Sequence, residues 1–320
     1  NAGDSITSGS GIQNTLIGYD AGTAITTGYE NSIYGYNAGK TITTGFYNVL
    51  IGSQAGDSLS VNANNNVAIG TFALSSAASG ENVAIGSNAL ESTDGTRNVA
   101  VGKQALQNSS GVNFLVAVGY QALNSLTTGS DCTAVGYYAG KSLTTGSKNT
   151  LMGYEAGKAL TTGGENSLVG WEAGKSITTA NYCSAVGATA LDALTTGNNN
   201  TAFGYGALGS VTTSVQNVAV GAYALSNNTG TKNVATGSSA LFSNTSGEFN
   251  SSYGHQAGRD ITEGDYNTIL GANAGNSGTN DLTTGSNNII IGYQAAASAA
   301  TVSNEITLGN TTITKFRVPA

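Results

Sequence analysis

The chain has 320 residues, a formal net charge of −7, 39% apolar residues and only 9% charged ones. So little charge excludes an ordinary globular surface, where about 25% of residues are charged. Eleven scattered Lys and Arg exclude a phosphate-neutralising nucleic-acid surface, and one Pro excludes collagen. No apolar run approaches the ~18 residues of a membrane helix, so no membrane insertion is expected. With one histidine, His255, and two cysteines, Cys132 and Cys183, the sequence offers no metal cluster, and no cofactor is expected.

In chain order, one string recurs: Asn, any residue, two apolar residues, Gly, two variable residues, Ala. Its Gly falls at 18, 35, 52, 70, 86, 102, 119, 136, 153, 170, 187, 204, 221, 237, 254, 271 and 292, and a degenerate eighteenth copy has Gly309. Most intervals are 17 residues, with some of 16, one of 18 and one of 21. Counting from that Gly as position 0, position +3 is Ala in all seventeen copies. Position −4 is Asn in all but three, where Leu115, Cys132 and Cys183 stand instead. Positions −3 to −1 are β-prone, and a second β-prone run such as Ile25-Thr26-Thr27-Gly28 follows at +7 to +10.

A unit this short cannot close a core alone. Stacked coils pair each backbone group with the coil above and below, at about 4.8 Å per rung, or about 85 Å for eighteen rungs. The expectation is an all-β solenoid of about 17-residue repeats, a parallel β-roll or β-helix. Residues 1–295 form the repeat shaft, and 296–320 the degenerate last repeat and a C-terminal β segment. Length changes fall where turns are expected, as at Ser75–Gly80, Glu91–Gly95 and Asn276–Asn280. The first residues, Ala2 to Gly9, match positions +3 to +10, so upstream sequence is expected.

Positions −2 and +4 covary. Where −2 is Leu or Ile, +4 is Gly, or Ala296 in the last copy; where −2 is Ala, +4 is Leu. Ala134 with Gly140, and Ser252 with Gly258, break the pattern. One large and one small residue per repeat keeps core volume constant, so both positions are expected to face one interior. The alternative is block duplication that carried both residues along. On the packing reading, Ala84→Leu with Leu90→Gly should restore much of what each loses alone.

The strings Asn-Thr-Leu-Ile-Gly-Tyr-x-Ala-Gly and Asn-Val-Ala-Ile-Gly-x-x-Ala-Leu resemble the Asn-Ser-Val-Ala-Ile-Gly repeats of trimeric autotransporter adhesin heads. The chain is also similar to the repeat shafts of bacteriophage tail fibres, in which such units precede a segment like Asn304-Glu305-Ile306-Thr307-Leu308-Gly309-Asn310. In those fibres the segment leads into a self-cleaving intramolecular chaperone, which is absent before Pro319-Ala320. The resemblance implies a left-handed coil, a homotrimeric extracellular fibre on a virion tail, and attachment to a host surface glycan or protein. A bacterial surface adhesin or filament is the second reading, and a polysaccharide-degrading spike the remote third.

Position +1 is aromatic or His at Tyr19, Tyr36, Tyr120, Tyr137, Tyr154, Trp171, Tyr205, His255 and Tyr293. Stacking makes these a column, either a glycan-contact strip or an aromatic ladder that packs coil on coil or chain on chain. Glu155 and Glu172 share position +2, but Lys158 and Lys175 follow three residues on. That pattern suggests a solvated charge strip rather than a catalytic carboxylate pair. No enzyme activity is expected. Adjacent Thr residues alternate faces and argue against an ice-binding lattice. Cys132 and Cys183 would be about 14 Å apart along the stack, beyond the ~7 Å reach of a disulfide, and are expected to be free.

Overall fold

A computed structural model of the chain describes residues 1–6, 11–76, 80–278, 280–315 and 317. Parts of the Ala2–Gly9, Ser75–Gly80 and Asn276–Asn280 segments, and Pro319-Ala320, lie outside the described residues. The chain forms two compact units, Asn1–Glu165 and Asn166–Ala320. Each is a parallel β-solenoid with one three-residue strand per coil, and the described residues contain no helix.

The first unit holds β1 (Thr15–Ile17), β2 (Ser32–Tyr34), β3 (Val49–Ile51), β4 (Val67–Ile69), β5 (Val83–Ile85), β6 (Val99–Val101), β7 (Val116–Val118), β8 (Thr133–Val135) and β9 (Thr150–Met152). The second holds β10 (Ser167–Val169), β11 (Ser184–Val186), β12 (Thr201–Phe203), β13 (Val218–Val220), β14 (Val234–Thr236), β15 (Ser251–Tyr253), β16 (Thr268–Leu270), β17 (Ile289–Ile291) and β18 (Ile306–Leu308). Within each unit every strand pairs in parallel with the next, and equivalent repeat positions face each other: Leu16 opposite Ile33, Ala185 opposite Ala202. Intervals of 16, 18 and 21 residues leave that register intact, as in Ala68 opposite Ala84 and Ile269 opposite Ile290. Length differences are absorbed in turns. In the longest interval Leu282 returns to the core by donating its N–H to the Gly275 carbonyl at 3.1 Å.

Only the first β-prone run is a strand. The Ile/Leu-Thr-Thr-Gly run forms a stacked bend, because its donors converge instead of alternating. Thr26, Thr27 and Gly28 all give their N–H to the Thr43 carbonyl, at 2.9, 3.3 and 3.1 Å. Thr hydroxyls reinforce this seam, Thr127 to the Thr144 carbonyl at 2.9 Å and Thr195 to the Thr212 carbonyl at 2.9 Å.

The invariant positions have separate causes. The position 0 Gly has φ near +135°, and a Cβ on Gly136 would lie 2.2 Å from the Gly153 carbonyl oxygen. Only glycine fits both demands. Ala at +3 is fully buried throughout. The Asn column closes each coil. Asn31 gives its amide N–H to the Gly45 carbonyl of its own coil at 2.9 Å, and its Oδ1 accepts the backbone and side-chain N–H of Asn48 in the next coil at 3.1 and 2.9 Å. A coil one residue shorter keeps the closure, as Asn82 to Gly95 at 3.0 Å shows. Buried amides stacked this way leave few polar groups unsatisfied.

The core is filled from −2, +4 and +7. In the Ala-at-−2 coils, Leu74, Leu90, Leu106, Leu123, Leu191, Leu208, Leu225 and Leu241 are fully buried at +4, with φ of 48° to 55°. That left-handed backbone costs about 1–2 kcal/mol per leucine, and burying the side chain offsets it by about 1.5–3 kcal/mol. In the other coils Gly adopts the same backbone without strain, and the −2 side chain fills the space. A Cβ on Gly174 would meet the Leu168 methyls at 2.8 and 3.0 Å. Positions −2 and +4 therefore share one interior.

The two exceptions follow from the direction in which the large side chains lean. Position −2 reaches back to the preceding coil: Leu50 would come within 2.8 Å of a Cβ on Gly39. Leucine at +4 reaches forward. At Gly140 the two meet, with Leu123 of the preceding coil 2.9 Å and Leu151 of the following coil 2.5 Å from a Cβ built there. At Gly258 the pair is Leu241 at 3.1 Å and Ile269 at 3.4 Å. Each exception is a small–small coil filled by its neighbours from both sides.

Candidate functional site

Alternation along the strand puts −2 inside and −3 and −1 outside. The outer face is apolar and exposed at −1: Ile17, Ile51, Ile85 and Met152 in the first unit, and Val186, Phe203, Val220, Tyr253, Leu270, Ile291 and Leu308 in the second. A contiguous apolar strip on a coil surface is the usual mark of an association face.

The +1 column lies on the bend that follows the strand. Tyr19 stacks on Tyr36 with centroids 5.6 Å apart. Tyr120, Tyr137 and Tyr154 form a continuous stack at 5.4 and 5.3 Å. Between Tyr36 and Tyr120 the column is interrupted by Ser53, Thr71, Ser87 and Lys103. Tyr205 meets Tyr223 edge-on at 5.1 Å, while Trp171, His255 and Tyr293 are exposed. The residues predicted as one strip therefore include two stacked groups in the first unit, Tyr19 with Tyr36 and Tyr120 with Tyr137 and Tyr154. Tyr137 also touches Tyr138, with centroids 4.0 Å apart. The hydrogen bond between the two hydroxyls pushes the Tyr137 phenol up to about 12.

The Glu–Lys pairs are ion pairs three residues apart, Glu155–Lys158 and Glu172–Lys175, each at 3.0 Å. Glu155 is only 6% exposed, whereas the Lys158 and Lys175 side chains stay 35% and 37% exposed, so each pair sits at the surface with its carboxylate covered. Among the described residues no group of three or more His, Cys, Asp or Glu could hold a metal ion. Among the described residues no helix is long and apolar enough to cross a membrane.

Both cysteines are free and buried, and burial raises both thiols above the usual range. Each replaces Asn in the coil-closing bond. The Cys132 thiol donates to the Gly146 carbonyl and the Cys183 thiol to the Gly197 carbonyl, both at 3.4 Å.

Sequence spacing left a second aromatic group unnoticed, at the corner before the strand. Tyr29 stacks on Phe46 at 4.9 Å, Tyr47 closes on both edge-on, and Phe249 stacks on Tyr266 at 5.1 Å with the Lys232 ammonium 4.7 Å above Phe249. The positions are −6 for Tyr29 and Phe46 and −5 for Tyr47, Phe249 and Tyr266. At −5 the backbone is left-handed for every residue type, including Tyr47, Lys148 and Phe249 at φ of 55° to 58°.

Fold and surface together define a parallel β-solenoid repeat protein with apolar and aromatic columns on its outside. No family model matches the chain, and none of the curated proteins compared with it matches either.

Proposed function

We propose that the chain is the shaft of an extracellular fibre, a left-handed coil assembled as a homotrimer, which holds a host-attachment surface away from its base. The observation that supports this is the exposed apolar −1 column. The interior of each coil is filled by −2, +4 and +7, so this outer face is unused by the single chain, and a second and third copy bring the same face to meet it. Three chains in register present each weak surface contact three times at high effective concentration. The virion tail fibre, attaching to a host glycan or protein receptor, is the preferred setting, on the resemblance of the repeats and of the Asn304–Asn310 segment.

Light scattering of the full chain at micromolar concentration is expected to give three times the chain mass. Ile85→Lys with Val220→Lys, one charge in each apolar strip, is expected to give the single mass with an unchanged circular dichroism spectrum. A wild-type monomer overturns the assembly. An open reading frame that continues into a self-cleaving chaperone favours the phage setting, and a membrane anchor favours the adhesin.

A further inference from the structure

Cations gather on the aromatic column over four successive coils of the first unit. Position +1 there reads Lys103, Tyr120, Tyr137, Tyr154. Beside the stack lies Tyr138, with the Lys141 ammonium 4.2 Å and the Lys158 ammonium 5.4 Å from its ring centroid. Glu155 holds Lys158 at 3.0 Å, whereas Lys141 forms no ion pair among the described residues. In a chain of net charge −7, an unneutralised ammonium resting on an aromatic cluster is a local reversal of sign.

The backbone under this strip is occupied. Gln121 donates its N–H to the Lys103 carbonyl at 3.1 Å, Tyr138 to Tyr120 at 3.0 Å and Glu155 to Tyr137 at 2.8 Å. A peptide therefore finds no free strand edge to extend. What remains are side chains: exposed ring surface on Tyr137 and Tyr154, phenol hydroxyls that donate and accept, and a cation. We infer that this strip binds a carboxylate-bearing glycan lying along the coils. Its carboxylates meet Lys141 and Lys103, its C–H groups run along the outward ring edges of Tyr137 and Tyr154, and its hydroxyls exchange hydrogen bonds with the phenols. A sialate chain and a uronate chain share this chemistry. The inference deepens the attachment reading and names the class of receptor.

The test immobilises the full chain and passes four probes over it at low salt: polysialic acid, alginate, neutral dextran and poly-glutamate. At least one of the two acidic glycans is expected to bind, while dextran and poly-glutamate do not. Lys141→Gln and Tyr137→Ser are each expected to weaken that binding about tenfold or more, with Lys103→Gln weakening it in the same direction and Lys141→Arg retaining it. Failure of both acidic glycans to bind the wild type overturns the inference. So does dextran binding as tightly, which makes the charge irrelevant, or poly-glutamate binding as tightly, which makes the site an acidic-peptide surface. Unchanged binding in both Lys141→Gln and Tyr137→Ser overturns it as well. A trimer that binds neither glycan leaves the fibre standing without this site, and a monomer that binds one leaves the site standing without the fibre.

Discussion

At the scale of the residue, the closing bond of each coil sets what position −4 tolerates. Asparagine satisfies three partners there, the cysteine thiol two carbonyls, and the Leu115 side chain none, although Leu115 still gives its backbone N–H to the Asn98 amide oxygen at 3.1 Å. Cys132→Ala removes the donor to the Gly146 carbonyl and should cost about 1–3 kcal/mol, the usual consequence of orphaning a buried acceptor. Cys132→Asn restores the column and should return the loss or exceed it. Thermal denaturation of the two variants checks the order. In the wild type both thiols should react with a disulfide reagent only when the protein unfolds, since burial holds them protonated. Prompt labelling in the native state would contradict their placement.

At the scale of the coil, lean decides which substitutions compensate. Spacing alone expects Ala84→Leu to rescue Leu90→Gly. The structure places Leu74 at +4 of the preceding coil, where a leucine at 84 would reach back, so the pair should stay destabilised. Ala185→Leu with Leu191→Gly follows the Leu168 and Gly174 coil, and Gly39 shows that such a glycine accommodates the −2 side chains of its own and the following coil together, Ile33 and Leu50. Here Leu191→Gly alone should cost about 2–5 kcal/mol and Ala185→Leu alone about 1–3 kcal/mol, with most of both recovered in the double variant. Denaturant midpoints for the two sets check this, and equal recovery at both sites would refute the lean.

The same comparison marks what the residues alone disclose. The Gly, Ala and Asn columns and the −2/+4 exchange were legible because each reflects a demand made by one coil on residues within a few positions of one another. The small–small coils were not, because their filling comes from side chains about 17 residues away on either side. Nor was the left-handed corner at −5, where Tyr, Lys and Glu sit at positive φ because stacking fixes the backbone whatever the side chain. Of the candidate site, the +1 column was legible as positions, but its splitting into two stacks and the convergence of Lys141 on Tyr138 depend on side-chain directions that spacing does not carry. The +7 run looked like a strand because its Thr residues are β-prone, and only the convergence of its donors shows it to be a bend.

At the scale of the whole molecule, sparse charge predicts indifference to acid. Asp192 and Asp260 are raised, mainly by burial. A raised carboxyl contributes stability below its unfolded value and loses it as pH rises through the folded one, so acidification toward pH 4 favours the folded state at both. Glu305 is lowered, by hydrogen bonds from Ser298 and Thr307. Its contribution is present above the unfolded value and is lost as pH falls through the folded one. The expected outcome is a circular dichroism signal that is flat from pH 7 to pH 4, with loosening below that confined to the coil around Glu305. A cooperative acid transition near pH 5 would contradict it.

The lean also bears on how such a gene changes length. Coils of the Leu-then-Gly kind are followed directly by the Ala-then-Leu kind, as Leu50 with Gly56 is by Ala68 with Leu74. The reverse succession passes through a small–small coil on both occasions where it falls inside one unit. Unequal crossing-over can therefore add or drop repeats freely within a run of one kind. A crossover that joins runs of different kinds is tolerated in one orientation and, in the other, only when a spacer repeat comes with it. The repeat array has a reading direction imposed by side-chain packing, and length variants of this gene should carry their breakpoints accordingly.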